Sequence, residues 1–137
     1  MSAEVAVRAA VIAALREDGA LMAALNGLFE GEPVRASVPY GIVGECIASD
    51  WGAKDVDGRE VRLTIGLHDA GETPGRMAEM LARIDPAVQA ADASGEGWRI
   101  VSARPVRSRL ARVGRREEMG WQAVVDYRLR VVAEAIG

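Results

Sequence analysis

The clearest pattern in the chain is the alternation that starts at Glu60. Val61, Leu63, Ile65 and Leu67 fall on one side and Glu60, Arg62, Thr64 and Gly66 on the other, the period of two that a half-buried strand requires. A second alternation is longer. From Trp121 to Val131, the residues Trp121, Ala123, Val125, Tyr127, Leu129 and Val131 interleave with Gln122, Asp126, Arg128 and Arg130, which predicts one core face and one face that is wet or shared with a partner. Ile42 to Ala48 reads as a strand of small residues. The polar stretch Lys54-Asp55-Val56-Asp57-Gly58 turns the chain from it into the Glu60 strand, and Asp-Gly is a favoured hairpin pair. Trp98 to Ala103 reads as a further strand, with Pro105 limiting how far it can pair inside a sheet.

Helical spacing appears twice. Ser2 is a good N-cap and Glu4 a favourable first-turn carboxylate; Val5, Ala9, Ile12 and Leu15 form a stripe with Val11 at its edge, and Asp18-Gly19 is the stop. Ala20 to Leu25 has room for a further short turn. From Asn26 to Tyr40, glycine, proline and serine recur, which predicts a surface connection, and Pro39 biases Val38 toward extended geometry. A second helix is expected with Thr73 as N-cap, Pro74 at the first helical position, and Met77, Met80, Leu81 and Ile84 on its buried face. Asp85-Pro86 is expected to interrupt it, with Asp85 capping a short restart through Val88 and Ala91.

Taken in order, these elements predict a single α+β domain over residues 1–137. Two helices pack on one face of a mainly antiparallel four-stranded sheet, and the segment from Arg104 to Arg116 projects as a loop or hairpin arm. A chain of 137 residues buries a core without metal or disulfide support. Its one cysteine, Cys46, has no internal partner. The first residues lack the basic and then apolar run of a secretion signal, and no apolar stretch approaches a membrane span. A soluble, intracellular chain is the expectation, at least until it is packaged into something larger.

Charge sharpens the picture. The formal net charge is −3, against the basic excess that gripping phosphate requires. Lys54 is the sole lysine, so the positive charge is almost all arginine, a residue suited to planar, bidentate pairing at interfaces. The arginines between Arg104 and Arg116 therefore have three readings: a solvated loop partly paired with Glu117 and Glu118, a docking surface, or a basic lining beside DNA. The docking reading leads, and direct DNA contact comes last.

The catalytic inventory is poor. His68 is the only histidine, and no turn of the Gly-x-Ser-x-Gly type marks a serine nucleophile. Asp55-Val56-Asp57-Gly58 lacks the further oxygen ligands of a calcium loop, and one His with one Cys makes no zinc cluster. Cys46 is most simply a core thiol. Tyr40 and Trp51 flank the first strand, either as lids over the sheet edge or as anchors for a neighbouring subunit. No catalytic, cofactor or metal site is expected.

The order of the pieces resembles the tail completion, or tail terminator, proteins of long-tailed phages and gene transfer agents. The resemblance is carried by Ala3-Glu4-Val5-Ala6-Val7-Arg8-Ala9-Ala10 opening an alanine-rich helix, by Pro39-Tyr40 leading into a strand, by Asp50-Trp51 with the polar turn and Gly58-Arg59-Glu60, and by Gly71 to Ile84. It departs at Gly66-Leu67-His68-Asp69, where such sequences often carry a Trp. The resemblance implies a non-enzymatic virion protein at the head-to-tail junction, assembled in the host cytoplasm. It further implies a ring, usually a hexamer, that caps the tail tube, ends its polymerisation and joins the tail to the head connector or stopper protein. DNA would pass through the lumen without sequence-specific binding, and no membrane is involved.

On that reading, Trp51, Glu60, Arg62, Thr64, Asp126, Arg128 and Arg130 are expected at subunit contacts. Lys54, Asp55, Asp57, Arg107, Arg109, Arg112, Arg115 and Arg116 are expected to meet the tube or connector. Two rivals stand beside it. A DNA-binding module using the Arg104 to Arg116 cluster predicts duplex binding that weakens steeply with salt. A small ligand-binding domain predicts a pocket holding His68, Asp69 or Glu45.

Overall fold

The computed structural model describes residues 1–114 and 119–134. Helices α1 (Ala3–Glu17) and α2 (Gly19–Ala24) come first, followed by strands β1 (Leu28–Phe29), β2 (Tyr40–Asp50) and β3 (Gly58–Ala70). Helix α3 (Gly75–Gln89), a short 3₁₀ turn and strands β4 (Trp98–Val113) and β5 (Gly120–Ala133) complete the chain. The strands form one sheet in the order β1-β2-β3-β5-β4. Only β1 runs parallel to its neighbour.

The α+β class holds, but the architecture is three helices on a five-stranded mixed sheet, not two on four antiparallel strands. The additional strand β1 lies inside the stretch read as a surface connection. Two residues are too few to alternate visibly, and Gly41 N–H bonds to Gly27 O at 2.9 Å beside it. The additional helix α2 arises because Asp18 does more than end α1. Its Oδ1 accepts from Leu21 N–H at 3.0 Å, capping α2, and both carboxylate oxygens take Arg83 Nε of α3 at 2.9 Å. The backbone bond from Leu21, with Arg83 beside it, holds the Asp18 carboxyl below its ordinary range.

Helix α3 also departs from expectation, since it runs through Pro86 without a break. An internal proline costs roughly 3 kcal/mol. Met77, Met80 and Ile84 before it and Ala87 and Val88 after it are all buried, so burial of one continuous face offsets that cost. Asp85 is consequently not a cap. Its Oδ1 accepts from Tyr127 O–H at 2.9 Å and from Gln89 Nε2–H at 3.2 Å. Pro74, rather than Thr73, occupies the N-cap position. In α1 the buried positions are Ala3, Ala6, Val7, Ala10, Val11, Ile12 and Leu15, while Val5 is half exposed.

All three helices cover one face of the sheet. The residues Val61, Leu63, Ile65 and Leu67 of β3 and Ala123, Val125, Tyr127, Leu129 and Val131 of β5 join the helix interiors in a single core. Cys46 belongs to this side, with its thiol donating to Glu4 O at 3.3 Å. Burial pushes that thiol up to about 11, so it stays protonated and inert at neutral pH.

As far as Val113, the segment expected to project as an arm is part of the sheet. Strand β4 continues through it to Val113, paired with β5 as far as Gly120. Bulges interrupt the ladder at Val101 and Val106, and a further register shift in β2 sets Gly44 and Glu45 opposite Thr64. Val106 and Gly44-Glu45 therefore flank the same Thr64–Asp126 row from both sides, where bulges increase local bend and twist.

Candidate assembly surfaces

The uncovered face of the sheet gathers the polar halves of both alternations. Cross-strand neighbours on β3 and β5 are Glu60 and Arg130, Arg62 and Arg128, and Thr64 and Asp126. Glu60 is the hub of the first group. Its carboxylate accepts from Arg130 Nε–H at 3.4 Å and lies 3.7 Å from Arg62 and 3.8 Å from Arg128. Arg130 in turn stands over the Trp51 ring, 5.2 Å from its centroid, a cation–π geometry. Asp126 is the second hub, accepting from Thr64 Oγ1 at 2.8 Å and from Arg107 Nε at 3.0 Å. The residues expected at subunit contacts, from Trp51 to Arg130, thus lie on one face as two side-chain groups, one around Glu60 and one around Asp126.

Such pairs contribute little individually at a surface, about 0–1 kcal/mol. Their effect is to fix long side chains in place, so that a partner meeting them loses less entropy. The uncovered face is also basic. Arg99, Arg104 and Arg109 occupy β4 positions opposite Val132, Arg128 and Val124, and Arg104 and Arg109 make no ion pair among the described residues.

The second expected group is dispersed. Lys54 and Asp55 form the tip of the β2–β3 hairpin, where Ala53 and Val56 exchange backbone hydrogen bonds at 3.0 Å. The tight turn is therefore at Lys54-Asp55, not at Asp57-Gly58. Asp57 instead pairs with Arg59. Arg107 and Arg109 lie on the uncovered face, whereas Arg112 reaches around the helix side, donating to Glu72 O at 3.1 Å and stacking over Trp121 at 5.4 Å. Arg115 and Arg116 lie outside the described residues.

These turns sit at opposite ends of the sheet. The Lys54 tip extends beyond the level where Asp50 pairs with Arg59 and Gly58 with Val132, and the β4 and β5 ends at Val113 and Gly120 lie at the opposite level, beyond where Tyr40 pairs with His68. One end is mixed in charge, and the other is approached by arginines.

His68 and Asp69 do not form a catalytic pair, because successive strand residues point to opposite faces. His68 stacks on Tyr40 with centroids 4.7 Å apart, and burial lowers its pKa. Asp69 is buried on the helix side, where it receives Arg76 Nε at 2.8 Å and the Ala70 N–H at 2.8 Å. The Arg76 guanidinium holds its carboxyl below the usual range. Among the described residues no group of three or more His, Cys, Asp or Glu side chains is placed to hold a metal ion. No helix among them is long and apolar enough to cross a membrane.

The described residues thus form a helix-backed sheet with a charged strip on its open face and two unlike ends. Comparison with known proteins makes this specific. Residues 9–132 match the family described as tail completion protein gp17, and the chain belongs to that family of virion tail structural proteins. Among solved structures, a chain from the virion of a native gene transfer agent (GTA) particle is similar, with a TM-score of 0.73, 23% identity, and coverage of 92% of this chain and 94% of that one. Bacteriophage SPP1 gp17 protein is similar with a TM-score of 0.62, 16% identity, and coverage of 98% and 94%. No curated protein sequence matches the chain.

Proposed function

We propose that the chain closes into a ring, a hexamer, at the head-to-tail junction of a virion or virion-like particle. There it caps the tail tube, ends tube polymerisation and joins the tail to the head connector, leaving a channel through which DNA passes. The observation that carries this reading is the family match over residues 9–132.

The geometry supplies a mechanism. A head-to-tail contact between unlike surfaces of one subunit closes into a ring when its rotation permits. With the strands running along the ring axis, the Lys54, Asp55 and Asp57 turn faces one neighbour along that axis. Arg112 near the far end of β4 is assigned to the other, together with the Arg115 and Arg116 positions of the sequence, while Arg107 and Arg109 lie on the adjoining uncovered face. Because these ends differ, a ring seated on the tube presents a surface to which a further tube subunit has no matching partner. The strip from Trp51 to Arg130 holds the adjoining side chains rigid where copies meet.

The test is a virion assembly assay with Arg109, Arg112, Arg115 and Arg116 all replaced by serine. The expected outcome is a folded protein and tails of normal length that do not join heads. Particles assembled at the wild-type yield would defeat the assignment of this end.

A further inference from the structure

Resting on the ring reading above, we infer that the acidic loop between β1 and β2 of one copy docks on the arginines of the uncovered face of the next, with Glu32 pairing with Arg109. The receiving face calls for an acidic partner. Arg62, Arg128 and Arg104 form one row across β3, β5 and β4, each directly opposite the next, and like charges so placed destabilise a sheet. Only Glu60 and Asp126 in the adjoining rows offset them, and these also face Arg130 and Arg107. Arg109, further along β4, is exposed and makes no ion pair among the described residues.

The donor loop has the opposite character. Glu30 and Glu32 line a cleft of about 520 Å³ with Glu4 and Glu45, against the single guanidinium of Arg8. Glu32 is exposed and, like Arg109, makes no ion pair among the described residues. Both ends of the loop are tied down. Arg8 Nη2 donates to Glu30 O at 2.8 Å and to Val43 O at 2.7 Å, and Asn26 Nδ2 donates to Val38 O at 2.8 Å. Between these ties Val34 is wholly exposed, so the loop projects as a preformed acidic feature with an apolar tip, and docking it costs little further ordering.

The two partners stand at the same level along the strands. Glu32 shares its cleft with Ile42 and Gly44 and lies near enough to Tyr40 and His68 for its charge to act on both, which places it at the Ile42 row. That row runs through Gly66 and Val124 to Arg109. Glu30 follows the parallel pairing of Phe29 with Ile42 and so stands level with Val43, whose row ends at Ser108, between Arg107 and Arg109. A rotation about an axis along the strands preserves these levels. The loop borders one margin of the sheet and the arginines lie on the strand at the other, so the contact is heterologous and repeats from copy to copy. Nucleic-acid phosphate is the competing occupant of these arginines, but it leaves the exposed Glu32 at matching height without a partner.

The experiment follows ring mass by light scattering across a concentration series of the full chain, with Glu32→Arg and Arg109→Glu made singly, combined in one chain, and mixed as two single variants. Circular dichroism checks that each folds. Each single variant sets like charges face to face and is expected to raise the concentration for half-assembly about tenfold. The doubly reversed chain restores the pair at every contact, and an equimolar mixture of the single variants restores it in alternating rings, so both are expected to assemble near the wild-type concentration. Arg109→Ser only removes an attraction, leaving Glu30 and Arg107 in place, and is expected to keep its rings. If wild-type rings form and the single variants assemble like wild-type, or neither the double variant nor the mixture recovers, the loop contact is wrong while the ring stands. Loss of duplex DNA binding by Arg109→Glu with rings unchanged would assign that arginine to phosphate instead. Should wild-type stay monomeric throughout the series, with and without tail tubes, both readings are overturned.

Discussion

Replacing Asp69 with Asn separates a structural carboxylate from a chemical one. Asn keeps an oxygen for the Ala70 N–H but loses the negative charge that faces Arg76. Hydrogen bonds to charged groups contribute about 1.5–3 kcal/mol. The Arg76 side chain is more than half exposed, so screening reduces the expected loss at Asp69 to about 1–2 kcal/mol at pH 7. For a chain of this size that lowers Tm by about 4–8 °C. The sign with pH follows from the depressed folded-state pKa of Asp69. An unfolded Asp titrates near 3.9, so the stabilisation is complete above that value and disappears as pH falls through the lower folded one. Urea denaturation of wild-type and Asp69→Asn at pH 7 and near pH 2.5 should therefore give a gap that closes on acidification, even though other carboxylates weaken both proteins. A gap below about 0.5 kcal/mol at pH 7, or an equal gap at both pH values, would refute this account of Asp69.

Two further substitutions probe the scaffold. A Cβ at Gly120 would collide with the Asp69 backbone oxygen, so Gly120→Ala is expected to cost about 1–3 kcal/mol through backbone displacement, read as a lower urea midpoint with unchanged m. Asp18→Ala removes the α2 cap and the tie to α3, and faster hydrogen exchange at the Leu21 amide, with β3 protection retained, is the expected result.

What could be read from the residues follows from where burial is one-sided. The strands at Glu60 and Trp121 announce themselves because helices cover one face and leave the other open, so chemistry alternates with geometry. The far half of β4 does not. From Arg104 to Arg109 every residue is exposed, and with neither face buried a strand shows no period. The Leu28–Phe29 strand is held by backbone bonds that leave no mark on residue type. Pro86 misleads because local cost is outweighed by packing against a sheet distant in sequence. The charged strip was half legible: alternation puts Glu60, Arg62, Thr64, Asp126, Arg128 and Arg130 on open faces, but only register brings Glu60 opposite Arg130, seventy residues away.

The bulge at Val106 also acts as a parity switch. Ahead of it, Arg104 lies opposite Arg128 on the open side; past it, Arg107 lies opposite Asp126 and Arg109 opposite Val124, also on that side. Were Val106 paired in plain register, with no residue bulged out, everything from 107 onward would reverse: Ser108 and Leu110 would turn outward while Arg107 and Arg109 swung toward the helices. One extra residue thus lets Arg104, at an even position, and Arg107 and Arg109, at odd ones, share the same side of the sheet.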